Sequence, residues 1–381
     1  MTVSTPVRAE TVAAHVGRHP LPGQVVLVLQ GGGALGAYQI GVYRALCESG
    51  IEPDWVIGTS IGAINAALIA GNKPAERHER MEEFWRRIGA GPLRTALTAA
   101  PGWGQAARNL MTLTTGVHSF FRPNPAALFG PLAPVGAEHA AWYSTAPLHD
   151  LLAELVDLDQ LNTGGVRLTV GAANVRTAEM HYFDTKDSAL DLRHILASGA
   201  LPPAFPAVRI GEDLFWDGGV LSNTPVEAVF DDNPRRDSVV FAVHLWNPDG
   251  SEPDSIWEVL NRQKDLQYSS RAKSHVERQR QLHNLRHIIK ELAAKLPEDH
   301  RASDAVKEME AYGCTTTMHV VRLLAPGLRG EDHLKDIDFS ATGIHQRSEA
   351  GYEETMRVVA EMPWERPHDP LAGVILHESA D

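Results

Sequence analysis

The chain has 381 residues, 43% of them hydrophobic and 22% charged, with a formal net charge of −13. This is ordinary globular composition with ample material for a core. The acidic balance argues against a nucleic-acid partner, which needs an excess of Lys and Arg on one face. Cys47 and Cys314 are the two cysteines and no CxxC occurs, so neither a disulfide framework nor a cysteine-held zinc is expected. Residues 1–22 are polar and read as a flexible start without a signal-peptide core, and no apolar run is long enough to span a membrane. A cytoplasmic protein is expected.

Val25–Leu29 is apolar and β-branched, as in a buried parallel strand. Gly31–Gly36 (GGGALG) follows, and Ala37–Glu48 has helical spacing closed by Gly50. The pattern then repeats: a strand at Asp54–Ile57, the sharp turn Gly58–Gly62 (GTSIG), and an apolar helix at Ala63–Ala70. Strand, glycine turn and helix, twice over, predict a parallel α/β sheet. Lys73–Ile88 reads as an amphipathic helix. Residues 91–147 are irregular, with scattered Trp and Phe, and read as a lid or a surface insertion. Strands are predicted at Val166–Ala172, His181–Asp184, Val239–His244 and Met318–Leu323, with helices at Leu190–Gly199, Val226–Phe230 and Glu349–Glu361. From Ile256 to Tyr312 the chain turns helical. There Leu282, Leu285, Ile289, Leu292 and Leu296 form one apolar seam, expected to pack on the protein's own core.

Three motifs carry chemistry. In Gly58-Thr-Ser-Ile-Gly62, glycines give room for Ser60 on a strained strand-to-helix turn, and the helix start faces developing negative charge. Gly31–Gly36 fits both a dinucleotide fingerprint, with Glu52 or Asp54 as ribose acid, and an oxyanion loop whose amides at Gly31, Gly32 and Gly33 hold a tetrahedral intermediate. The serine elbow just downstream favours the second reading. Asp217-Gly218-Gly219 ends a strand-like DLFW, and its two glycines leave space for a carboxylate to reach a hydroxyl; alone it would read as a turn.

Together these resemble the patatin-like phospholipase family, over about residues 25–245. Ala197–Pro206 (ASGALPPAFP) and Ser222–Pro225 (SNTP) are similar to it as well. The resemblance implies a three-layer α/β/α fold with a mostly parallel central sheet over residues 23–250, followed by a mainly helical region, 251–381, packed on it. It implies a serine hydrolase of acyl lipids working through a dyad of Ser60 and Asp217, without cofactor or metal. Gly32 and Gly33, with Gly31 and Ile61, would hold the oxyanion, Gly58 and Gly62 would frame the elbow, and Gly218 and Gly219 would free the Asp loop. One departure is Leu35, where the family's loop often carries Arg; its loss bears on anionic head groups more than on catalysis.

Three other readings stay open. A Ser-His-Asp esterase would draw on His244, His319 or His345, none of them locally marked; the others are a dinucleotide-binding oxidoreductase and an idle lipid-binding scaffold. The basic run Arg271, Lys273, Arg278, Arg280, Arg286 and Lys290 is a candidate for transient membrane-surface contact, and the Trp- and Phe-rich insertion leaves room for a homodimer.

Overall fold

The computed structural model describes residues 21–89, 112–328, 331 and 333–378, with the side chains of 270–273 and 275 excepted. The expectations for residues 1–20 and 90–111 therefore lie outside the described residues.

In chain order the strands are Gln24–Leu29 (β1), Trp55–Thr59 (β2), Arg122–Pro123 (β3), Tyr143–Ser144 (β4), Arg167–Asn174 (β5) and Met180–Asp184 (β6). Val208–Ile210 (β7), Asp213–Asp217 (β8), Ser238–His244 (β9), Met318–Leu324 (β10) and Val374–His377 (β11) follow. The helices used below are Tyr38–Glu48 (α1), Ile61–Ala70 (α2), Pro74–Ile88 (α3), Ala146–Leu155 (α4), Leu192–Ser198 (α5), Ile256–Ala294 (α6) and Ala341–Glu361 (α7). One sheet runs β11-β10-β9-β1-β2-β5-β8-β7, with β6 also on β5. From β11 to β5 every pairing is parallel, whereas β6, β7 and β8 join antiparallel. β3 and β4 form a separate ribbon.

The continuous apolar run of β1 is explained by burial on both faces. Leu27 and Leu29 enter the core beneath α1, α2 and α3, while Val26 and Val28 pack with Val229, Phe230 and Val276 on the opposite side. These four side chains are fully buried, each stabilising the fold by about 1.5–3 kcal/mol. Helices thus cover both faces of a largely parallel sheet, the α/β/α arrangement that the sequence implied.

The C-terminal region is woven into this body. β10 and β11 extend the same sheet. α7 lies backbone to backbone on α1: a Cβ at Gly41 would sit 1.7 Å from the Ser348 carbonyl oxygen, and one at Gly351 2.1 Å from that of Tyr38. α7 begins at Ala341, earlier than expected, capped by the Ser340 hydroxyl, which accepts the Gly343 N–H. β11 was not foreseen, because four residues after a Pro-rich turn carry too little periodicity.

The apolar seam of α6 is a correction. Leu282, Leu285 and Leu292 are 43%, 55% and 60% exposed. The face turned inward instead carries Val276, Gln279, His283, His287 and Ala293. Both histidines contact the Thr316 carbonyl through Nε2, at 2.9 and 2.7 Å. Periodicity marks an apolar stripe on a helix, but polar partners across the contact decided which side faces the body. Among the described residues, no helix is long and apolar enough to cross a membrane.

Candidate active site

Three chain segments meet at the carboxyl ends of the central strands, where open α/β sheets hold their ligands. β1 and β2 pair in parallel with Leu29 opposite Gly58, so the loops that follow them leave the sheet side by side. Ser60, between β2 and α2, has φ 58° and ψ −127°. This is a backbone region that a side-chain-bearing residue rarely adopts, held by its surroundings. Its N–H donates to the carbonyl and hydroxyl oxygens of Ser198, both at 3.1 Å, and the Ser198 hydroxyl donates to the Gly171 carbonyl at 2.6 Å. The elbow is also packed backbone on backbone. A Cβ at Gly58 would meet the Gly62 carbonyl oxygen at 2.3 Å, and one at Gly62 would meet that of Leu29 at 2.2 Å.

Sheet register also brings in the aspartate. Thr59 lies opposite Gly171 on β5, and the next residue, Ala172, lies opposite Asp217 on antiparallel β8. Asp217 is buried and accepts the Gly219 N–H at 2.7 Å, and the Ser60 hydroxyl is the other donor group that acts on its charge. Burial pushes its carboxyl pKa up to about 7, against the lowering effect of those two donors. Gly218 is required for this approach, since a Cβ there would lie 2.4 Å from the Gly171 carbonyl oxygen.

The glycine loop lies against both. A Cβ on Gly31 would stand 2.9 Å from that of Ser60 and 2.4 Å from Asn223 Oδ1. The Gly31 N–H donates to the Asn223 carbonyl at 3.2 Å, while its own carbonyl accepts Asn223 Nδ2 at 3.0 Å and Trp246 Nε1 at 2.9 Å. Gly31 is therefore an anchor. The amides of Gly32, Gly33 and Ile61 take no partner among the described residues. Gly33 has φ 56°, with the Asp336 carbonyl packed against it.

Under these loops runs a buried chain of amides. Gln39 Nε2 donates to the Gln30 carbonyl, Asn65 Nδ2 to Gln39 Oε1, and Trp85 Nε1 to Asn65 Oδ1, at 2.8, 2.8 and 3.0 Å. It ties the root of the glycine loop to the helix that begins at the elbow. Sequence reasoning missed this chain, and it missed Ser198, Asn223 and Trp246 as supports. The only signal was that Ser198 and Asn223 fall inside the two lesser family-like stretches; nothing marked Trp246.

A cavity of about 170 Å³ opens on Ser60 and Asp217. One side is a cluster of Phe120, Phe121, Tyr143, Phe205 and Phe339, with neighbouring ring centroids 4.9–6.4 Å apart. A larger concavity of about 780 Å³ lies at the opposite ends of the strands, beside Asp54, Arg167, Lys186 and Asp237. It is open and polar, far from the elbow, and size does not make it the site. Asp54 accepts the Val25 N–H there and Glu52 pairs with Arg77, so neither candidate ribose acid reaches the glycine loop. No histidine is among the described residues that line the Ser60 cavity. His244 is buried, its pKa pushed down to about 3, His319 pairs with His377 at 3.0 Å, and His345 is exposed.

Leu35 is buried beside a small cleft that Lys335 and Arg347 also line. Those two cations are held by Asp265 (2.6 Å) and Glu331 (3.1 Å).

A doubly covered parallel sheet with an elbow serine beside a buried aspartate defines a serine-hydrolase type of site. The patatin-like phospholipase family model matches residues 27–230, and a second model, described as patatin phospholipase, matches residues 266–371. The chain belongs to the patatin-like phospholipase family.

Patatin-like phospholipase domain-containing protein 6 of Homo sapiens is 44% identical over 63 residues, 16% of this chain and 5% of that protein. Lysophospholipase NTE1 of Eremothecium gossypii is 27% identical over 254 residues, 64% of this chain and 14% of that protein. The chain thus spans a small part of these relatives' length. Among solved structures, VipD from Legionella pneumophila superposes with a TM-score of 0.37 at 16% identity, covering 89% of this chain and 67% of that one.

Proposed function

We propose that the protein hydrolyses carboxylic esters of acyl lipids, with Ser60 as nucleophile and Asp217 as the acid and base. The observation that carries this reading is the elbow serine set beside the buried Asp217 carboxyl, next to amides of Gly32, Gly33 and Ile61 that take no partner among the described residues. Asp217 takes the hydroxyl proton as Ser60 Oγ attacks the acyl carbonyl, and the electron pair displaced onto oxygen is held by those amides. Collapse expels the alcohol, which takes the proton back from Asp217. Water then gives its proton to Asp217 and adds to the acyl-serine; the fatty acid leaves, and Ser60 recovers the proton. A carboxyl poised near pH 7 suits both directions of transfer. The aromatic wall suits an acyl chain, and with residues 112–147 supplying Phe120, Phe121 and Tyr143, that segment serves as part of a chain-binding cap. A fluorophosphonate should label the wild-type protein and fail on Ser60→Ala; labelling that survives the substitution would remove Ser60 from the role.

Contact with a lipid surface is proposed through the same cap. Leu128, Phe129 and Leu132 are 88%, 76% and 95% exposed, on the segment whose Leu113 lines the cavity. The basic run on α6 supports this less, because Lys290 and Arg280 are paired with Glu310 and Glu277, and the side chains of Arg271 and Lys273 lie outside the described residues. The double change Leu128→Asp/Phe129→Asp should weaken co-sedimentation with phospholipid vesicles about tenfold or more, given about 0.8 kcal/mol per buried methylene. Unchanged co-sedimentation would exclude this surface.

A further inference from the structure

The polar side of the cavity is built by residues far along the chain. Tyr268 of α6 packs against Trp246 with the rings tilted by 32° and their centroids 4.8 Å apart, and its carbonyl accepts Gln30 Nε2 at 3.2 Å. Its ring is thereby locked beside the root of the glycine loop, while its hydroxyl, with no hydrogen-bond partner among the described residues, belongs to a side chain lining the cavity. Burial, then the charges of Asp217 and Asp336, push the phenol pKa up, so it remains a donor.

Asp336, just past Lys335 in the C-terminal region, gives one carboxylate oxygen to Lys264 Nζ at 2.6 Å. The other takes no partner among the described residues. The ionisable residues lining the cavity are Asp217, Asp336, Tyr143 and Tyr268; among the described residues no Lys, Arg or His does so. Lys264 offsets part of the Asp336 charge, but with no cation on the lining the wall has nothing to hold a bare phosphate, and it offers an acceptor and a donor to a neutral or cationic group. The aromatic cluster on the other side leaves this corner for the alcohol part of the ester.

We propose that Tyr268 and Asp336 form a subsite for the leaving alcohol, favouring groups that carry a hydrogen-bond donor, hydroxyl or ammonium, over groups ending in a bare phosphate. The proposal rests on the hydrolase reading and adds the substrate class. The test compares kcat/KM for a monoacylglycerol and a lysophosphatidate of the same acyl chain. The wild-type protein should prefer the monoacylglycerol by about tenfold or more, the size of one hydrogen bond or charge contact. Asp336→Asn should shrink that preference about tenfold through better turnover of lysophosphatidate, and Tyr268→Phe through poorer turnover of monoacylglycerol. A ratio of two substrates is insensitive to the folded fraction, so misfolding cannot imitate either change. Wild-type preference for lysophosphatidate, or ratios unmoved in both variants, would overturn the subsite. A wild-type protein that hydrolyses neither lipid nor a p-nitrophenyl ester, and takes no fluorophosphonate label, would instead bring down the hydrolase reading, and this proposal with it.

Discussion

Asp217→Asn is expected to lower ester hydrolysis by about 10²–10⁴-fold, the usual worth of a positioned acid–base group, while making the folded protein more stable above neutral pH. Both effects come from burial. The side chain is 1% exposed and its pKa is pushed up to about 7, against about 3.9 in an unfolded chain. The neutral acid is thus favoured in the fold. The stability it contributes is fully present below the unfolded pKa and is lost as pH rises through 7. At pH 8 the native protein carries a buried anion that asparagine would remove, a gain of about 1–4 kcal/mol at most. Thermal melts of the two proteins should therefore diverge between pH 5 and pH 8, with the variant higher at the alkaline end. In the wild-type protein kcat/KM should rise with pH and level off above about 7, because only the carboxylate can accept the serine proton. A melting difference that ignores pH, or activity within a few-fold of wild type, would show that this carboxyl is not the buried base.

The second large effect concerns stability and requires no substrate. Gly62→Ala places a methyl group 2.2 Å from the Leu29 carbonyl oxygen and 2.9 Å from that of Gln30. The first belongs to the central strand β1, the second to the start of the glycine loop; both are main chain and neither can swing aside. The helix α2 must shift, and with it the elbow. A destabilisation of about 3 kcal/mol or more follows, read as a melting temperature lower by roughly 4 °C or more, or as loss of soluble protein. Gly165→Ala is the matched control: nothing lies within 4 Å of the added methyl, and its φ is not in the left-handed region. It should change stability by no more than about 0.5 kcal/mol. If the two variants melt together, the close packing of the elbow against β1 is wrong.

The difference between those glycines bears on how much could be read beforehand. Gly58, Gly62, Gly31 and Gly218 stand out in the sequence because their constraint is steric: at the first two and the last a side chain would strike backbone, and at Gly31 it would strike the Asn223 and Ser60 side chains. Ser60 was legible through the strand before it and the helix after it, whereas Asp217, in a DGG that alone reads as a turn, was legible only in company with the two glycine motifs. Trp246, Tyr268 and Asp336 carried no such mark. They reach the cavity from 186, 208 and 276 positions beyond Ser60, and nothing in their own neighbourhoods says so. The seam on α6 taught the opposite lesson, a clear helical pattern whose covered side was misjudged because His283 and His287 found the Thr316 carbonyl.

Local sterics and hydrophobic period, by themselves, pointed to the parallel sheet, the two glycine turns and Ser60 as the candidate nucleophile, because those properties act over a few residues; Asp217 became a candidate only in company with those motifs. Tertiary structure alone decided that Gly31 spends its N–H on Asn223, that the amide chain from Gln30 to Trp85 braces both loops, and that the C-terminal region walls the cavity. Each of these depends on partners brought together by the folded sheet and its helices, and no local pattern encodes a partner that distant.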